Sequence, residues 1–214
     1  MQILLDSAII AEAKEAASWG WVSGATTNPT LLAQSELAPA ETLRQLAAIL
    51  KGPIYYQLTA TSVADMVREA ELADDILGKQ LVLKIPACAE GFRACVQLSK
   101  QYTCAFTAVY SPAQALLGQA AGARYILYYH NRAKRQMENG DKLAEELVQT
   151  AAGSNCEVVA ASLKTPAEIA EACLAGVHIL SAKFKVLEAL PRHELSEQAL
   201  AEFAKTGTGL LAKS

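Results

Sequence analysis

The sequence predicts a single-domain α/β fold, a closed (β/α)8 barrel of the TIM type with a C-terminal helix. Three observations predict it. Eight apolar, strand-like runs recur along the 214 residues. Helical patterns separate most of them, and strand–helix alternation means a parallel sheet with right-handed crossovers. The length suits eight such units at the low end of the usual range. A doubly wound open sheet is the competing topology. It would place a glycine-rich phosphate turn after the first strand, whereas Asp6-Ser7-Ala8 follows here.

The strand-like runs are Ile3–Leu5, Trp21–Gly24, Ile54–Leu58, Leu81–Ile85, Cys104–Val109, Tyr125–Tyr129, Glu157–Ala161 and Val177–Leu180. Parallel strands are covered on both faces, so they read as near-continuous hydrophobic stretches. Among the helical patterns, Ala8–Ser18 follows Ser7 as an N-cap and stops at Gly20, and Glu41–Leu50 is amphipathic. Ala64–Leu77 follows Ser62 with Asp65 three residues on, a capping-box arrangement, and ends at Gly78. Ala113–Ala121 opens on Ser111-Pro112 and ends at Gly122. Ala167–Ala175 opens on Thr165-Pro166 and ends at Gly176. A capping hydroxyl, then proline, then a glycine stop is the expected asymmetry of a helix. Near the end, Ala199, Leu200 and Phe203 recur at near-helical spacing, and Leu210 and Leu211 follow the break at Gly207–Gly209. No linker or low-complexity tract divides the chain. The barrel domain is read as residues 1–206, with 207–214 as a C-terminal tail.

Composition excludes several function classes. Apolar residues make up 52% of the chain, enough for a large core, and the net charge of −3 comes with no basic stripe. Nucleic acid is therefore not an expected partner. No apolar run reaches the roughly 18–20 residues that span a membrane. The start, Met1 to Asp6, lacks the basic segment of a signal peptide. The cysteines, Cys88, Cys95, Cys104, Cys156 and Cys173, form no C-x-x-C pair and are odd in number. That pattern suits reduced thiols in a cytoplasmic protein. His130, His178 and His193 show no H-x-x-x-H spacing, so no metal site is expected.

One stretch stands out within this frame. Leu81-Val82-Leu83-Lys84-Ile85-Pro86 carries a lysine inside an apolar run. Alternation turns Val82 and Lys84 one way and Leu81, Leu83 and Ile85 the other. Burying an unpaired ammonium costs several kcal/mol or more, so such a group tends to lose its proton, by up to roughly 3–5 pKa units. A neutral amine in a pocket is a nucleophile toward carbonyls. The structural alternative is a lysine that snorkels out at the strand end or pairs with a carboxylate.

In a barrel of this kind, chemistry sits at the C-terminal ends of the strands. Those ends carry Asp6, then Thr26-Thr27-Asn28, Gln57, Lys84, Thr107, Tyr129 with Asn131 and Arg132, and Ser162 with Lys164. Taken singly, most have structural readings. Asp6 could cap the first helix, and Asn28-Pro29 could be a turn. Thr107 could face a helix, and Arg132 could share a solvated face with Lys134 and Arg135. Their joint appearance at one end of successive units is what those readings explain poorly.

These residues resemble a known family. The segments Leu5-Asp6, Gly24–Pro29 (GATTNP), Leu83–Pro86 (LKIP) with Ala89–Gly91 (AEG), Phe106–Tyr110 (FTAVY), Tyr129–Arg132 (YHNR) and Ala160–Thr165 (AASLKT) look like the small transaldolase family. The resemblance runs to about residue 176 and is closest to the fructose-6-phosphate aldolase branch. It implies a (β/α)8 barrel whose Schiff-base lysine is Lys84, with no metal or organic cofactor. Transaldolases proper carry a glutamate on the third strand and a phenylalanine near the end of the sixth. This chain has Gln57 and Tyr129, which resembles the aldolase branch with the tyrosine as acid/base.

The resemblance further implies roles for the other positions. Asp6 would serve the carbinolamine or sugar hydroxyls. Gln57 and Thr107 would hold a water for Tyr129. Asn28, Thr26 and Asn131 would contact substrate. Arg132, Ser162 and Lys164 would bind phosphate, and a cationic fork plus hydroxyl suits that group. The implied reaction makes or breaks fructose 6-phosphate from dihydroxyacetone and glyceraldehyde 3-phosphate. Transaldolase transfer of a dihydroxyacetone unit and silent sugar-phosphate binding are the alternatives. The implied assembly is a homodecamer of stacked five-membered rings joined through the C-terminal helix. Several positions depart from the family. Leu127 and Phe106 replace small residues and are expected to narrow the ketose pocket. Ala133–Gly140 replaces a Gly-Gly loop, and Ala182-Lys183-Phe184 replaces a proline-bearing turn.

Overall fold

A computed structural model of the chain describes residues 1–210. Leu211 and the rest of the expected tail lie outside the described residues. The strands are β1 (Gln2–Asp6), β2 (Gly24–Thr26), β3 (Ile54–Gln57), β4 (Leu81–Pro86), β5 (Thr103–Thr107), β6 (Tyr125–Tyr129), β7 (Glu157–Leu163) and β8 (Ile179–Ala182). All neighbours pair in parallel and in chain order, and β8 pairs back onto β1. This is the closed (β/α)8 barrel, and the open doubly wound sheet is excluded.

The helices are α1 (Ile10–Ser18), α2 (Pro29–Leu32), α3 (Pro39–Ile49), α4 (Val63–Leu77), α5 (Ala89–Leu98), α6 (Pro112–Ala120), α7 (His130–Gln136), α8 (Leu143–Ala151), α9 (Pro166–Leu174), α10 (Phe184–Ala189) and α11 (Glu194–Thr206). Ser62, Ser111 and Thr165 accept the backbone N–H of Asp65, Gln114 and Glu168, as the capping signals require. Ser7 does not cap α1. The N-cap there is Ile9, and the Ser7 hydroxyl accepts from Ile9 N and donates to Glu12. The second strand also moves. It is not Trp21–Gly24 but the small and hydroxyl-bearing Gly24–Thr26, while Trp21 is exposed and stacks on Trp19.

Strand alternation sorts the barrel into an outer and an inner face. Leu81, Leu83 and Ile85 join the large cluster between sheet and helices, whereas Val82 joins the inner one. The inner cluster is a dry floor of Leu4, Tyr55, Val82, Ala105, Leu127, Val159 and Ile179. Two residues further along each strand the inward positions become Asp6, Gln57, Lys84, Thr107, Tyr129, Ala161 and Ser181. The interior therefore changes from apolar to polar in one step toward the C-terminal ends.

Helix α5 is seated directly behind the end of β4. A Cβ at Gly91 would run into the carbonyl oxygen of Pro86. Glycine is the residue that allows so close an approach of helix to strand. At the other end of the chain, α11 buries no residue, and Leu195, Leu200 and Phe203 are each 66% exposed. This helix does not pack its apolar side chains on its own barrel.

Candidate active site

A cavity of about 440 Å³ opens at the C-terminal ends of the strands. Asp6, Asn28, Gln57, Lys84, Tyr129, Arg132, Ser162 and Lys164 line it, eight positions singled out from the sequence. Lys84 is at its base and 3% exposed. Its Nζ donates to the carbonyl oxygen of Thr27 at 2.8 Å. Burial pushes its pKa down from 10.5 to about 8, and the nearby Asp6 charge opposes that fall. Desolvation wins because water is excluded and the one hydrogen-bond acceptor is a neutral carbonyl.

Asp6 does not cap α1. Its Oδ1 accepts from the Thr26 hydroxyl at 2.8 Å, and Thr26 shares a 2.6 Å hydrogen bond with Ser181. Thr26 is thus a buried support beneath the cavity and does not line it, contrary to its expected contact with substrate. Asn28 has two roles. Its side chain accepts from Leu31 N as the cap of α2, so Asn28-Pro29 opens a short helix rather than forming a turn, and Asn28 also faces the cavity.

Thr107 is 1% exposed, and its hydroxyl lies 3.0 Å from that of Tyr129. The Tyr129 ring packs under the Arg132 guanidinium at 4.9 Å and against the edge of Tyr110. Gln57 Oε1 is buried with no protein hydrogen-bond partner. Buried acceptors are rarely left so, and the Tyr55 and Tyr110 hydroxyls are likewise unpartnered among the described residues. Ser162 has φ +60° beside an irregularity in the β7–β8 ladder between Ala160 and Leu163. A non-glycine residue in the left-handed region costs energy, and the bulge re-aims its side chain.

Two expectations fail on direction. Asn131 lies outside the cavity, where its amide donates to Glu168 at 2.7 Å. Helix α7 begins directly at His130, so strand alternation no longer governs Asn131. Phe106 does not narrow the pocket. Its ring packs at a tilt against Phe92, centroids 4.3 Å apart, on the helix-facing side, where Gly118 leaves room for it. Leu127 does face inward, but in the floor layer below Tyr129 and outside the cavity lining. Lys183 and Ser181 were missed. Both lie at the end of β8, where the rule that found the other strand-end residues would have found them.

The pH dependence follows from Lys84. For a lysine that attacks a carbonyl the reactive form is the neutral amine, which at pH 7 is about a tenth of a group titrating near 8, against roughly one part in three thousand at 10.5. Capture of a ketone by borohydride is expected to rise with pH and level off above about pH 8. Asp6→Asn removes the charge that holds this pKa up, so the rising limb should move to lower pH. A limb unchanged by Asp6→Asn, read from trapping rates between pH 5 and 10, would break the link.

The family described as Transaldolase/Fructose-6-phosphate aldolase matches residues 3–213, well beyond the point near residue 176 where the motifs thin out. A probable transaldolase of Symbiobacterium thermophilum is 35% identical over 208 residues, covering 96% of each chain. One of Kosmotoga olearia is 36% identical over 220 residues, covering 98% of this chain and all of the relative. Among solved structures, a mandelate oxidase superposes with a TM-score of 0.59 over 94% of this chain and 70% of its own, at 16% identity, a likeness of fold alone. Matched along nearly its whole length, the chain belongs to the transaldolase/fructose-6-phosphate aldolase family and is an enzyme of the aldolase type.

Proposed function

We propose that the protein is a class I aldolase that cleaves or forms fructose 6-phosphate, or a close dihydroxyacetone or hydroxyacetone analogue. The observation that carries this is Lys84, a buried amine at the base of a polar cavity whose pKa burial pulls down to about 8. Its nitrogen would attack the ketose carbonyl, and loss of water would leave a protonated imine. That imine accepts the electron pair when the carbon–carbon bond breaks, as the sugar hydroxyl gives up its proton. Asp6 serves the carbinolamine hydroxyls or takes that proton. Tyr129 then protonates the enamine through a water held by Gln57 and Thr107, and hydrolysis frees the ketone. Gln57 suits this part because its oxygen is a buried acceptor without a protein donor. Arg132, Ser162 and Lys164 receive the phosphate.

Transaldolase transfer is the second reading, because the relatives above are named probable transaldolases. Mass spectrometry after borohydride reduction with dihydroxyacetone, with and without aldehyde, tests both. The aldolase releases free dihydroxyacetone, whereas a transaldolase exchanges its adduct with erythrose 4-phosphate faster than it releases ketone. Sugar-phosphate binding with no reducible adduct would leave only the silent binder.

The setting is also proposed. All five cysteines are free thiols, which suits a reducing cytoplasm. No helix among the described residues is long and apolar enough to cross a membrane. The bare apolar side chains of α11 suit a homo-oligomer of stacked five-membered rings. Light scattering should find an assembly far larger than a dimer, and truncation after Leu195 should shrink it and lower the melting temperature. A monomer at micromolar concentration would remove the ring.

A further inference from the structure

We infer that Lys183 is a specificity-determining residue of this site, the third cation of a clamp for the phosphate of a phosphorylated substrate. The inference rests on the sugar-phosphate reading above and assigns a residue which that reading does not use. Lys183 lines the same cavity as Lys84 and follows β8 directly. Arg132 stands just past β6, Lys164 just past β7 and Lys183 just past β8, so three consecutive strands each end in a cation. Leu163 pairs with Ala182, which puts Lys164 and Lys183 one residue beyond a matched position on strands about 4.8 Å apart. Alternation from Ser181, which is buried beside Thr26, turns Lys183 inward as well.

None of the three cationic heads meets a carboxylate among the described residues. Their neighbours behave differently. Lys134 pairs with Glu171 at 2.5 Å and Lys185 with Glu188 at 2.9 Å. Among the described residues Asp6 is the sole acid lining the cavity, and it lies beside Lys84. Like charges on adjacent strands repel, so an arrangement of this kind is best relieved by a bound anion. A phosphate monoester brings roughly −1.5 to −2 charges near neutral pH, which fits a group of cations rather than one. The backbone of Lys183 is fixed, because its carbonyl accepts from Val186 N and Leu187 N at the start of α10. Its ammonium is left to reach a ligand. A neutral sugar hydroxyl needs no such charge, so the contact separates phosphorylated from unphosphorylated aldehydes.

The test measures KM and kcat for glyceraldehyde 3-phosphate and for unphosphorylated glyceraldehyde, with dihydroxyacetone saturating, in wild type, Lys183→Gln and Lys183→Arg. In Lys183→Gln the ratio of the two KM values should rise about tenfold, with the loss in KM rather than kcat, and Lys183→Arg should recover most of it. An equal change for both aldehydes, no change, or a loss confined to kcat would overturn the inference. Borohydride capture of dihydroxyacetone in the wild type reads the aldolase reaction separately. Should no adduct form, the aldolase reading fails, and calorimetry with inorganic phosphate decides Lys183 instead. About tenfold weaker binding in Lys183→Gln would sustain its role, and equal binding would end it.

Discussion

Replacing Lys84 by alanine is expected to abolish borohydride-dependent capture of dihydroxyacetone. Aldol turnover should fall by on the order of 10⁴-fold or more, the scale seen when a covalent nucleophile is removed from a group that acts together. Lys84 is buried at the base of the cavity with its nitrogen on the Thr27 carbonyl. Lys164, the lysine just past β7, stands exposed on the rim. Peptide mapping of the reduced adduct should place one substrate fragment on Lys84. Alanine leaves a gap in the inner layer, so Lys84→Met is the companion variant. It fills the volume without an amine and should fold and be equally inactive. A label on Lys164, or an adduct that survives in Lys84→Met, would overturn the assignment.

Tyr129→Phe is expected to cost about 10²–10⁴-fold in aldol cleavage, the usual loss for a positioned acid or base. The ring contacts persist in phenylalanine, since Arg132 lies over the face and Tyr110 against the edge. What disappears is the hydroxyl 3.0 Å from Thr107. Imine formation should continue, because Lys84 and its surroundings are unchanged. The variant would then form adduct with dihydroxyacetone yet release product slowly. Cleavage at the wild-type rate would move proton transfer to Gln57.

Several features of the site were legible because they obey simple periods. Alternation in Leu81–Pro86 assigned the inward face correctly, and strand-end polarity found eight of the cavity residues. The best-placed helices are those with a hydroxyl cap followed by a long helical pattern, whereas α1 and α3 were legible from their pattern alone. Those opened by Ser62, Ser111 and Thr165 were placed within one residue. Helices α2, α5, α7, α8 and α10 went unread, and of these only the single-turn α2 has a side-chain capping bond, from Asn28. The second strand was misplaced because its burial is carried by Gly24, Ala25 and Thr26, while the conspicuous Trp21 nearby is exposed. Asn131 was misjudged because a helix starts before it, and Phe106 because its neighbour Thr107 takes the inward position. Only three-dimensional contacts could show that Asp6 is held by Thr26 rather than by α1.

The single step from dry floor to polar upper layer has an evolutionary consequence. Leu4, Tyr55, Val82, Leu127, Val159 and Ile179 carry packing and no chemistry of their own, whereas Asp6, Gln57, Lys84, Thr107 and Tyr129 sit one pleat above them. Lys84 and Thr107 are themselves buried, but Asp6, Gln57 and Tyr129 are only half-buried and line the cavity, so substitutions at those three meet open space on one side and disturb packing less. On the proposed roles of Gln57 and Tyr129, exchanging either would alter the reaction while the floor stays unaltered. Divergence of activity and conservation of architecture would then be written into alternate residues of the same strands.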